Sequence, residues 1–227
     1  MKTIIILLVC FLFPIGMCFL LMRKKRNVWL MFLIGMLAFY VSQIVLRIPL
    51  LQFLMSQLKF SMFAMGHPLG YLLFLSISAG LFEETARLLG FACTKKRHDH
   101  IFDALAFGFG HGGIEAVLLV GLPLLGVTIS MENVLLSCFE RLVTIMIHVA
   151  FSIIVWWGVH QHQRLRYLLL AITLHTAINA MTGLPFDILV IEGLLGAAAV
   201  GIWLCLYHWI VKKECGHAKI SENHKGA

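Results

Sequence analysis

The chain has 227 residues, of which 60% are hydrophobic and only 13% charged. That balance lies outside the range of soluble globular domains and points to a polytopic membrane protein. The formal net charge of +7 does not mark a nucleic-acid binder, because the basic residues fall in short clusters between apolar runs, as they do in cytoplasmic membrane loops. The six cysteines (Cys10, Cys18, Cys93, Cys138, Cys205, Cys215) form no CxxC pair and mostly lie in apolar stretches, so they read as small hydrophobes rather than as a disulfide framework.

A membrane-crossing helix needs roughly 20 apolar residues. On that rule the expected architecture is an all-α bundle of about seven spans, at 3–22, 28–49, 69–92, 101–129, 138–159, 167–181 and 187–210. The first run resembles a signal peptide, with Lys2 ahead of it, but it is long enough to span and ends in a stop-transfer Arg23-Lys24-Lys25-Arg26, so a retained helix is expected. The segment 50–66 either continues the second helix past Pro49 or lies along the outer interface. The fourth span is long and is expected to tilt or break near Pro123.

Loops 23–27, 93–100 and 160–166 and the tail after 211 hold every Lys and Arg except Lys2, Arg47, Lys59, Arg87 and Arg141. This asymmetry predicts the N-terminus outside and the C-terminus inside a bacterial-type cytoplasmic membrane. Residues 1–211 are read as one transmembrane domain, with a catalytic core at about 69–183, and 212–227 as a polar cytoplasmic tail.

Ionisable residues inside the spans are the informative ones. A charge at mid-bilayer costs about 2.5–3.5 kcal/mol on the translocon scale. The three charges in LFEETARLLG (81–90) would therefore cost on the order of 8–10 kcal/mol facing lipid, so they must face the bundle interior or a wet cavity. At about 1.5 Å rise per residue, Glu83, His111, His148 and His175 each lie roughly 12–18 Å in from the cytoplasmic end of its span. Four helices thus bring an acid or an imidazole to one level. Glu83 with Arg87, His111 with Glu115 and His175 with Asn179 are each i, i+4 and can share a helix face. HGGIE, HVAFS and HTAIN repeat a histidine followed by a small residue, which favours close helix approach. Glu115 and Glu192 read as structural, while Arg47, Glu140 and Arg141 fall toward the outer surface.

A buried acid with imidazoles and an amide suits peptide-bond hydrolysis, with the acid as general base and His and Asn side chains stabilising the oxyanion. HExxH and GxSxG are absent. A metal-dependent version remains open, since Glu83, His111, Glu115 and His175 could supply ligands for zinc. A non-enzymatic alternative is a proton-linked transporter or membrane scaffold that uses the same cluster as a relay.

EETAR at 83–87, FGFGH at 107–111 and HTAIN at 175–179 resemble the three motifs of the CAAX-protease and bacteriocin-processing superfamily. HGGIE and HVAFS are similar in particular to its YhfC-type branch. The resemblance implies a glutamic-type intramembrane endopeptidase needing no cofactor and acting on a peptide or membrane-protein substrate. By that resemblance Glu83 would activate water with help from His111, His175 and Asn179 would hold the oxyanion, and Arg87 would orient the glutamates. His148 and Glu115 would support them. The superfamily's first motif usually reads E-E-x-x-x-R, whereas Arg87 here comes one residue early, so either Glu83 or Glu84 could be the base. The cavity is expected to open toward the cytoplasm.

Overall fold

The computed structural model describes residues 1–211, and the polar tail expected at 212–227 lies outside the described residues. Eight helical rods follow one another: α1 (Lys2–Met22), α2 (Val28–Ser56), α3 (Leu58–Gly66), α4 (Pro68–Thr94), α5 (Ile101–Leu125), α6 (Met131–His160), α7 (Arg164–Thr182) and α8 (Ile188–Trp209). The starts of several are set by local chemistry. Proline opens α4 at its first position, where no N–H is needed. His100 and Asp103 close a reciprocal capping box at the head of α5, and the Ser130 and Asp187 side chains accept from backbone N–H groups at the heads of α6 and α8.

Among the described residues four stretches widen into π-type turns, at Leu7–Leu12, Tyr40–Arg47, Val117–Gly121 and Tyr207–Val211, and the first three each run up to a proline: Pro14, Pro49 or Pro123. A helix-interior proline removes one backbone bond and crowds the carbonyl four residues back, and a wider turn relieves that crowding without ending the helix. The expected break near Pro123 is therefore a widened turn, and α2 runs on through Pro49 to Ser56. Segment 50–66 divides between the end of α2 and the short α3, which meets α4 at an angle of 112°.

By length and composition, five helices of the described residues are fit to cross a membrane, or six if the bent α3–α4 pair counts as one span. The seven-span expectation exceeds this because α4 and α7 are less apolar than the five: α4 carries Glu83, Glu84 and Arg87, and α7 carries two arginines, His175 and Asn179. Observed limits also differ: the rods expected at 138–159 and 167–181 extend to 131–160 and 164–182.

α5 and α6 form the centre. α5 packs against α1, α2 and α6, while α6 also receives α4, α7 and α8. Glycine permits the closest approaches: a Cβ on Gly110 would sit 2.0 Å from the Phe32 carbonyl oxygen, and one on Gly35 2.1 Å from that of Phe107. These contacts lock α2 against the FGFGHGG face of α5 and bury His111 completely. Gly80 does the same for α4 and α7, with its missing Cβ 3.4 Å from the His175 Cβ.

Candidate active site

α4 presents two adjacent carboxylates in different directions. Glu83 Oε2 lies 3.0 Å from His111 Nε2 on α5, 3.8 Å from His175 Nε2 on α7 and 4.0 Å from His148 Nδ1 on α6. Its Oε1 accepts from Gln43 Nε2 of α2 at 2.8 Å. One carboxylate thus faces three imidazoles from three other helices, as the equal depths predicted.

Glu84 faces away. Arg87 Nη1 donates to both of its oxygens, and His175 Nδ1 bonds to its Oε1 at 2.8 Å. Arg87 therefore pairs with Glu84 three residues back, not with Glu83 four back as the spacing suggested. Its Nη2 reaches His148 Nδ1 at 3.1 Å. Glu84 and Arg87 are wholly buried, whereas Glu83 lines a cavity.

His148 is held from behind. Its Nε2 lies 2.6 Å from Glu115 Oε2, and Arg141 Nη1 donates to Glu115 Oε1 at 2.9 Å and Nη2 to Glu140 at 2.6 Å. Arg141 is buried within the bundle, a structural role. Arg47 is also drawn inward: it donates to Gln43 Oε1, Ser78 Oγ and the Leu75 carbonyl at 3.0, 3.0 and 2.7 Å. Both Gln43 and Arg47 sit on the widened turn of α2. Gln43 was missed by sequence reasoning, although Pro49 just beyond it was the available signal.

The cavity beside Glu83 has a volume of about 450 Å³, and its polar walls include Gln43, Glu115, His148, His175 and Asn179. His111 lies beneath this lining, fully buried, with the Phe39 ring edge-on at 5.3 Å.

The profile of the YhfC intramembrane metalloprotease family matches residues 9–132 and 125–195. The chain belongs to that family. It is also 30% identical to the uncharacterized membrane protein YhfC of Bacillus subtilis (strain 168), over 91% of this chain and 93% of that one. No solved structure matches. Membership makes this a multi-pass membrane protein of an intramembrane protease family with a bacterial relative.

The expectation of a cofactor-free site is overturned. The YhfC family is a metalloprotease family, and Glu83, His111 and His148 offer one carboxylate oxygen and two imidazole nitrogens within 4.8 Å of one another. Donors held at about 2.0–2.2 Å around a tetrahedral zinc ion lie roughly 3.4 Å apart, so this set would have to close by about 1 Å at its widest to hold one. Glu115 lies against His148 Nε2, so that Nδ1 faces the cluster, and a carboxylate in that place is the kind of neighbour that orients metal-binding histidines. His111 Nδ1 is buried without a hydrogen-bond partner among the described residues. Of the ligands anticipated from sequence, Glu83 and His111 fall in this triad; its third member is His148, Glu115 lies against that ring from outside, and His175 bonds to Glu84.

Proposed function

We propose that the protein is a metal-dependent intramembrane endopeptidase whose ion is held by Glu83, His111 and His148. The observation that supports this most directly is the convergence of one carboxylate and several imidazoles from four helices beside a buried cavity. A bound zinc would supply Lewis acidity and a water of lowered pKa. His148 Nδ1, the atom that would serve as a ligand, lies 3.1 Å from Arg87 Nη2, and the two Glu84 contacts would keep the guanidinium anchored if that bond were given up.

The remaining residues have roles that follow from their contacts. Glu84 holds His175 through Nδ1 and turns Nε2 toward Glu83 and the cavity, so His175 carries protons to and from the reacting peptide. Asn179, one helical turn beyond His175 on the same wall, presents its amide to the developing oxyanion. Glu115 and Arg141 fix the His148 ring, and Gln43 fixes the Glu83 carboxylate. Seven crossings, with the basic loops at the cytoplasmic face, one transmembrane domain over 1–211 and a catalytic core at about 69–183, complete this reading. Charges gathered around a cavity, rather than strung across the bundle, favour hydrolysis over transport.

The test is purification without added chelator, metal analysis and peptide mapping. One divalent ion per chain, cleavage abolished by chelator and restored by zinc, and loss of new peptide termini in Glu83→Gln cells are expected. A metal-free protein that cleaves unaffected by chelator would exclude the reading.

A further inference from the structure

The cavity has a direction. On each helix that bounds it, the lining runs from the level of Glu83 toward the same end of the bundle. It passes from Glu83 back to Leu72 on α4, from His175 on to Gly183 on α7, and from Glu115 on to Leu119 on α5. On α6 it extends from His148 back to Glu140, and on α2 from Gln43 on to Ile48. Arg23–Arg26 and Lys95–Arg97, which join helices, and Arg164 and Arg166, in the first turn of α7, all lie at the opposite end.

Toward that basic end the layer next to the cavity is apolar and close-packed, and buried polar groups return only beyond it, at His98 and Asp103. Phe39 and Phe151 floor the cavity, and beyond them Phe91 and Phe107 pack with ring centroids 4.6 Å apart and planes tilted by 34°. Ala104, Trp156 and Val159 continue the apolar plug, each at most 2% exposed. Water or an extended peptide coming from the basic end would have to part this close-packed layer, whereas the other end already carries polar wall residues to the site.

Basic loops mark the cytoplasmic face. We infer that the site takes its substrate from the opposite, outer side: an extended polypeptide segment lying outside the membrane or in its outer half, such as the outer juxtamembrane stretch of another membrane protein. This reverses the expectation of a cytoplasmic opening. It rests on the protease reading for what is cut, and on the cavity's direction and the placement of the basic loops for the side of access.

The test labels cysteines with a membrane-impermeant thiol reagent, in intact cells and in inverted vesicles, and maps them by mass. Thr144→Cys places a thiol on the half-buried cavity wall of α6, and the native, exposed Cys93 at the basic end of α4 is the internal reference. Position 144 should label in intact cells and Cys93 only in inverted vesicles. Labelling of position 144 only from the Cys93 side, or from neither side, would overturn the inference. A second variant, Ile178→Cys, guards against local misfolding and should follow position 144. Because labelling needs no turnover, a failed search for substrates would count against the protease reading and leave the side of access standing.

Discussion

Glu83 has one carboxylate oxygen within 4.0 Å of three imidazoles, while Glu84, one residue on, is sealed against Arg87 and His175. Substitution should separate the two. Glu83→Gln keeps the volume and an acceptor for Gln43 but removes the anionic donor, so folding is expected to persist while cleavage and metal binding fall by at least about 100-fold, read by product formation and metal content. Arg87→Ala leaves a carboxylate unpaired in the interior, which costs about 3–5 kcal/mol, and should lower the thermal midpoint in detergent as well as activity. Glu115→Gln weakens the support of His148 without removing a ligand. Its expected effect is a 10–100-fold loss of metal affinity with the fold intact, measured by competition with a chelating dye.

At the scale of the helix, the widened turn of α2 delivers Gln43 and Arg47 to the α4 wall. Pro49→Ala restores a backbone donor and removes the crowding that favours the wide turn. Tightening it rotates Gln43 away from Glu83, so activity should fall several-fold with little change in thermal midpoint. The opposite pattern, stability lost and activity per folded molecule retained, would show that the turn only shapes the helix. Glycine contacts make a different demand. Gly35→Leu forces side-chain atoms into the Phe107 carbonyl and must push α2 off α5, with a cost of at least about 1–3 kcal/mol expected in detergent unfolding.

For the whole molecule, the ion is expected to act as a tie among α4, α5 and α6, since its ligands come one from each. Ligand that binds only the folded state stabilises it by about 2.7 kcal/mol at a hundredfold excess over Kd. Zinc should therefore raise the thermal midpoint of the wild-type chain and leave that of His148→Ala unchanged. The same frame places the basic loops and the cavity mouth at opposite ends of the bundle.

Much of this was written in linear order along the chain. Composition and charge clustering determined a membrane bundle, because apolar length and basic loops are local properties. Depth counting determined that Glu83, His111, His148 and His175 share a level, because helical rise is constant. Rotation about each helix axis was not legible, since it is set by contacts between helices. Only the tertiary structure decided that Glu83 faces the cavity and Glu84 does not, that Arg87 pairs with the nearer glutamate, and that His148 rather than Glu115 joins the cluster. The direction of the cavity likewise came from packing: the sequence places the polar residues at a depth, but which end is plugged depends on how Phe91, Phe107 and Trp156 meet across three helices.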